Sequence, residues 1–180
     1  MLLHEPRTFR RLLEKIARAT AGYLKAQIAA GASAVQLFDS WVGELDAATY
    51  RDVEMPAVQL LMSELGAGDT PVILFSKGTG HLMEYLPQTG VDVLSVVWRA
   101  DLPALQKSLG RKVALQGNVD PCTLLGPVDA IGAAVARAGE QTGGLGHILN
   151  LGHGILPETP VESALAFVRA GQAAAVAGAR

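Results

Sequence analysis

The sequence predicts an α/β fold of parallel βα units, and three observations carry that reading. Short apolar runs of strand length alternate with helical stretches at intervals of roughly twenty to forty residues, as parallel strands with crossover connections require. Each strand-like run ends in a polar or glycine-rich turn: Asp39-Ser40-Trp41, Ser76 to Gly80, Trp98 to Asp101, Gly117 to Pro121 and Gly152-His153-Gly154. Right-handed crossovers put such endings on one face, so the turns are expected to converge there. The chain has 180 residues, 49% of them apolar and 5% aromatic, which fits one globular domain with a sizeable core.

Thr8 is placed to cap a first helix whose apolar residues Phe9, Leu12, Leu13, Ile16, Tyr23, Leu24 and Ile28 recur mostly at threes and fours as far as Gly31. Ala34 to Phe38 is a compact strand. A second helical region starts at Asp46 or the alanines after it, runs through Tyr50, Val53, Val58, Leu61 and Met62, and stops at the Gly66 to Gly68 turn, with Pro56 kinking or dividing it. Pro71 to Phe75 reads as the next strand, and His81 to Leu86 as a short helix after its loop. Val91 to Val97 is a strand, Leu102 to Leu109 a helix and Val113 to Gln116 a strand. Pro127 to Ala138 is an alanine-rich helix, His147 to Leu151 a strand covered on both faces, and Pro160 opens a closing helix through Ala164, Phe167 and Val168. About five strands result. A doubly wound sheet and a (β/α)8 barrel both satisfy this order.

Composition excludes several classes. A formal net charge of −2 with no basic stripe disfavours nucleic acid and anionic membranes as partners. The lone Cys122 cannot form an intrachain disulfide, and no His-x-His or His-x-x-x-His pair accompanies it, so no metal site is expected and a reducing, cytoplasmic setting fits. The first sixteen residues carry charges where a signal peptide needs an apolar run, and no stretch approaches a membrane span. Neither a Rossmann glycine fingerprint nor a Walker loop occurs, which disfavours nucleotide use.

The candidate site residues come from the strand endings. The stretch from Gly144 to Gly154 sets a short apolar strand against a histidine between two glycines. Glycines there let the backbone bend and approach something closely, leaving the His153 imidazole at a strand's C-terminal end, where α/β folds place their chemistry. The plainer alternative is a loop histidine bonded to a neighbouring carbonyl. Ser40 stands at the equivalent place after the first strand, with Phe38 and Gln36 on its side by period-two alternation, and its plainer reading is a serine bonded to its own turn. Lys77 and Arg99 read as solvated loop charges, Trp41 and Trp98 as packing or subunit-contact residues, His81 as a surface group, and Cys122 as a small buried residue rather than a thiolate.

Four segments, AVQLFDSW, PVILFSKGTG, VALQGNVDP and HILNLGHGILPETP, resemble in order and spacing those of the uroporphyrinogen decarboxylase family. The resemblance runs over nearly the whole chain, and the pairing of GNVDP with NLGHG is its most specific part. It implies a (β/α)8 TIM barrel of which this chain, as a single incomplete domain over residues 1–180, resembles the last five βα units. Met1 to Pro6 resembles an interior stretch of that family, so the chain is read as a C-terminal fragment, a mis-started gene model or one part of a split protein.

The implied activity is decarboxylation of the four acetate side chains of uroporphyrinogen III to give coproporphyrinogen III. Protonating the pyrrole carbon next to an acetate arm makes a ring into which the C–CO₂ bond electrons can flow, so no cofactor is implied. The resemblance assigns Ser40 a hydrogen bond to a substrate carboxylate, and His153 contact with a substrate carboxylate or a part in proton delivery. It places the family's pyrrole-binding aspartate, its Arg-x-x-x-Arg arginines and an important tyrosine in the absent front half, and it implies a homodimer. Two alternatives stand beside it: a corrinoid-dependent methyltransferase relative, against which SKGTGHL lacks a His-x-Cys pair, and a non-catalytic fragment that binds a separate front half.

Overall fold

The computed structural model describes residues 1–110, 112–143 and 146–178, with side chains as far as 174. Gly144 and Leu145, at the head of the stretch that drew attention to His153, lie outside the described residues. Five parallel strands form one sheet in the order of the sequence: β1 (Val35–Asp39), β2 (Val72–Ser76), β3 (Val93–Ser95), β4 (Ala114–Val119) and β5 (His147–Leu151). The fold is the α/β class expected of an incomplete barrel. By internal contacts the chain divides into two compact units, Met1–Leu94 and Ser95–Arg180.

In the first unit, helix α1 (Pro6–Ala29) is held against helix α3 (Met55–Leu65). Pro6 rather than Thr8 begins α1, since proline's fixed φ suits the first helical turn and its missing N–H is no loss there. The buried face of α1 also differs from expectation. Ala17, Ala21 and Leu24 are buried, whereas Leu12, Ile16 and Tyr23 are exposed. Ala17 and Ala21, small residues one turn apart, share the buried face with Leu24, and small side chains let a helix backbone approach its neighbour α3, whose Val58, Leu61 and Leu65 are buried too.

Asp46 caps the short helix α2 (Ala47–Thr49), accepting the Thr49 N–H at 3.0 Å and its hydroxyl at 2.6 Å. A π-helical turn, Tyr50–Glu54, then joins α2 to α3. Pro56 explains the widened turn: it offers no N–H, and its ring crowds the carbonyl of Asp52 four residues back. β2 is buried along its whole length and pairs in parallel register with β1, Val35 opposite Val72 and Asp39 opposite Ser76. The short helix expected over His81 to Leu86 is replaced by two 3-10 turns, Gly80–Leu82 and Leu86–Thr89, separated by three residues and closed by Gly90 at φ 89°.

In the second unit, helix α4 (Leu102–Leu109) lies where the sequence put it, because Asp101 accepts the Ala104 N–H at 3.0 Å and Gly110 ends it in a left-handed conformation. β4 extends three residues past Gln116 to Val119. Helix α5 (Val128–Thr142) and the closing helix α6 (Val161–Gly178) pack together. Their core gathers Val119, Leu124, Ile131, Ala138 and Leu151, with Ala134, Leu149, Ala166 and Phe167 packed on it. β5 is not covered on both faces: Ile148 and Asn150 are exposed while Leu151 is buried, so its apolar run reflects one packed face and one open one. Cys122 is likewise exposed, not buried, in the turn after β4.

Candidate functional site

In the first unit the turn after β1 carries Ser40 and Trp41, both exposed, Trp41 at 77%. The strand delivers them in a fixed orientation. Phe38, 72% exposed, meets the Phe75 ring of β2 at 5.9 Å between centroids, and Asp39 takes the Val42 N–H and so closes the turn around Ser40. Gly43 follows because only glycine fits: a Cβ there would stand 2.2 Å from the Lys77 carbonyl oxygen. The first loop thereby lies backbone to backbone on the loop after β2. His81 ties the same two loops together, its Nε2–H donating to the Leu45 carbonyl at 2.7 Å. It is a surface group with a structural task. Lys77 is exposed, as a solvated loop charge should be.

Electrostatics single out three more groups beside that turn. Burial pushes the Asp39 carboxyl up, against the lowering effect of the Val42 N–H. Burial and then the Asp39 charge push Glu54 up to about 7. Burial, then Asp39 and Glu54, push the Tyr50 phenol up, and its hydroxyl has no partner. Sequence reading gave no role to any of them. A carboxylate one residue before Ser40 was visible, but its electrostatic effect on Glu54 links residues fifteen apart in the chain and had no local signal.

The second unit builds the surroundings of His153. β4 contributes polar residues that hold the preceding loop: Gln116 Nε2 donates to Ser95 Oγ at 3.0 Å, and Asn118 Nδ2 donates to the carbonyls of Val97 at 3.1 Å and Ala100 at 2.7 Å. Polar side chains within an otherwise apolar strand were the available signal for them. His147 Nε2 meets the Gly117 carbonyl at 2.6 Å, and since a carbonyl only accepts, that nitrogen carries the hydrogen.

Gly152 donates its N–H to the Val119 carbonyl at 2.8 Å and presses against the loop after β3. A Cβ on Gly152 would lie 2.2 Å from the Trp98 nitrogen, whereas one on Gly154 would meet nothing within 4 Å. The close approach inferred from Gly-His-Gly therefore belongs to the first glycine. His153 is exposed two residues past the end of β5, its ring edge-on to Trp98 at 6.4 Å between centroids. The Arg99 guanidinium lies 5.1 Å from the centre of the same indole. Trp98 thus packs, as expected, with a cation over its ring and the candidate imidazole T-shaped against it.

Ser40 and His153 each stand just beyond the C-terminal end of a parallel strand, one in each unit. Among the described residues, no group of three or more His, Cys, Asp or Glu side chains could hold a metal ion, and no helix is long and apolar enough to cross a membrane. An imidazole and a hydroxyl at strand ends can bind carboxylates, and the imidazole can also carry a proton.

A model of the family described as Uroporphyrinogen decarboxylase (URO-D) matches residues 1–174. The uroporphyrinogen decarboxylase of Alkalilimnicola ehrlichii is 44% identical over 175 residues, covering 94% of this chain and 48% of that protein. That of Prochlorococcus marinus strain NATL1A is 41% identical over 174 residues, covering 96% of this chain and 49% of that protein. Among solved structures, a methyltransferase from Methanosarcina mazei is similar at TM-score 0.77 and 26% identity, over 87% of this chain and 47% of that one. The chain spans about half the length of the curated relatives it matches.

Proposed function

The chain belongs to the uroporphyrinogen decarboxylase family, and from that premise we propose that its residues form part of a site that decarboxylates the acetate arms of uroporphyrinogen III to give coproporphyrinogen III. In each step a proton adds to the pyrrole carbon beside the arm, and the C–CO₂ bond breaks with its electron pair moving into the ring. The resulting methylene then takes up a proton to become methyl as the ring proton is released. One proton is consumed for each carbon dioxide formed, so the protein's task is to orient a polyanionic macrocycle and supply protons. Ser40 donates its hydroxyl to a substrate carboxylate. His153 contacts a carboxylate or delivers a proton, with its ring packed T-shaped against Trp98.

The observation that carries this reading is the position of both residues immediately beyond the C-terminal ends of parallel strands, in a chain with family similarity over residues 1–174. The reading assigns turnover to the complete barrel, working without a cofactor as a cytoplasmic homodimer, and assigns none to residues 1–180 alone. The methyltransferase likeness has less behind it, at 26% identity against 44%. Cys122 in addition stands exposed beside Asp120, whose charge pushes the thiol up and away from the thiolate a metal would need.

The test is an anaerobic assay of coproporphyrinogen formation by the purified chain, alone and mixed with a separately expressed front half of the barrel. Activity only in the mixture is expected, and turnover by the chain alone would overturn the assignment to the complete barrel. In the mixture or an intact enzyme, His153→Ala should impair turnover more than Ser40→Ala, because an ionisable contact to a carboxylate outweighs a neutral hydroxyl bond. A His153→Ala variant as active as wild type would remove the role given to His153.

A further inference from the structure

The turn after β3 presents a cation that the reading of His153 leaves unused. Its ends are Val97 and Ala100, closed by the Ala100 N–H on the Val97 carbonyl at 3.0 Å, so Trp98 and Arg99 are the two central residues. Asn118 of β4 fixes both ends at once, donating from Nδ2 to the Val97 carbonyl at 3.1 Å and to that of Ala100 at 2.7 Å. Gly152, the residue before His153, packs on the same turn main chain to main chain, since a Cβ there would stand 2.8 Å from the Trp98 Cα. Arg99 and His153 thus project from two turns whose backbones are locked together.

Their side chains meet the same indole. The Arg99 guanidinium carbon lies over the Trp98 ring, 5.1 Å from its centre, and the His153 ring stands at 86° to that ring with centroids 6.4 Å apart. A cation–π contact restrains a long side chain without consuming its N–H donors. Among the described residues the ion pairs are those of Arg18 with Glu64 and Arg51 with Asp52, and neither involves Arg99. Asp101, two residues on, accepts the Ala104 N–H at 3.0 Å as the cap of α4. Expected as a solvated loop charge, Arg99 is exposed and yet held. An arginine kept in place by an aromatic ring, with no carboxylate of the described chain on its fork, is prepared to grip an incoming carboxylate by two parallel N–H bonds.

We propose that Arg99 is a substrate-binding residue, its guanidinium holding a carboxylate of the polyanionic macrocycle beside the place where His153 meets one. Arg99 thereby extends the reading of His153 given above, on which its role rests, from a single imidazole to a two-point carboxylate subsite. The two groups divide the work by their chemistry. A guanidinium stays charged throughout, so Arg99 binds and orients, whereas an imidazole can also exchange a proton near neutral pH. Trp98 contributes the restraint, which reduces the rotamer freedom an exposed arginine would lose on binding.

The experiment uses uroporphyrin III, the air-stable oxidised form of the substrate with its carboxylates intact, and the purified chain in a Trp41→Phe background, where Trp98 is the one remaining indole. Energy transfer from Trp98 to the bound porphyrin reports saturation. Arg99→Gln should raise the Kd about tenfold, and Arg99→Lys, which keeps the charge and loses the fork, should raise it by less. Urea midpoints of both variants should stay with the parent's, whereas a merely structural role would lower the midpoint and leave the Kd alone. An unchanged Kd for Arg99→Gln, or no saturable transfer in the parent chain, would overturn the proposal. If Arg99→Gln does not fold, the Kd of Arg99→Lys against the parent decides. Failure of the His153 reading is seen separately, as parental affinity in His153→Ala while Arg99→Gln binds more weakly.

Discussion

Replacing Gly152 by alanine tests whether the His153 turn is fixed by backbone contact. The added Cβ would lie 2.2 Å from the Trp98 nitrogen and 2.8 Å from both the Trp98 Cα and the Val97 carbonyl carbon, all of them main-chain atoms that cannot swing aside. Restoring ordinary contact requires a retreat of more than an ångström. That retreat strains the Gly152 N–H bond to Val119, now 2.8 Å, whose loss is worth about 1 kcal/mol. Forced overpacking adds about 1–3 kcal/mol, so the expected destabilisation is about 2–4 kcal/mol. With a urea slope of about 2 kcal/mol/M, the midpoint should fall by about 1–2 M. The assay is urea unfolding followed by Trp98 fluorescence in a Trp41→Phe background. Gly154→Ala is the control, since its Cβ would meet nothing within 4 Å, and it should stay within about 0.5 kcal/mol of the parent. Equal midpoints for Gly152→Ala and Gly154→Ala would refute the close-contact argument.

Two further perturbations probe other parts of the second unit. Burial pushes the His147 imidazole down, against the raising effect of the Gly117 carbonyl, so the unfolded chain takes up a proton first and stability should be lost as pH falls below the ordinary value of 6.5. His147→Gln keeps a donor for Gly117 but cannot titrate. The stability advantage of wild type over that variant should therefore shrink between about pH 7.5 and pH 5.5, and a constant difference would contradict the assignment. At Cys122 the Asp120 charge, burial and the Asp120 hydrogen bond push the exposed thiol up. Alkylation at pH 8 should be slower than for a free cysteine and faster in Asp120→Asn, which retains a capping oxygen for the Cys122 N–H. Identical rates would remove the electrostatic explanation.

What could be read from the sequence were features with a local cause. Helix α4 was placed to the residue because Asp101, Pro103 and Gly110 mark its two ends chemically. β5 was placed equally well, its apolar run ending in glycine, and Gly-His-Gly correctly announced a close backbone approach. The number, direction and order of the strands followed from the same alternation of runs and turns. Misreadings came where a side chain's environment is set by a neighbour far along the chain. Of the apolar stripe of α1, Leu24 is buried, but Leu12, Ile16 and Tyr23 are exposed while Ala17 and Ala21 are buried. β5 was expected to be covered on both faces because a buried and a half-exposed apolar run look alike at five residues.

The candidate site divides in the same way. Ser40 and His153 were visible because strand ends carry chemistry and because their segments resemble a family. What holds them was not visible, since it is assembled across loops: Gly43 on the Lys77 carbonyl, His81 on the Leu45 carbonyl, Asn118 on Val97 and Ala100, and Gly152 on Trp98. In each case a glycine or a polar side chain from one strand ending fixes the backbone of a neighbouring ending. A serine or histidine on an isolated turn would sample many orientations and gain little from binding a carboxylate. Turns locked pairwise at their main chains limit that loss, because the orientation is already set when the ligand arrives. The same reasoning explains why the loop glycines differ in kind. Gly43 and Gly152 stand where a methyl group would collide with a neighbouring backbone, whereas Gly78 is needed for its φ of 73° and meets only Gly43 at 3.7 Å. Substituting the first two should disturb the neighbouring loop as well as their own, and substituting Gly78 should strain mainly its own turn.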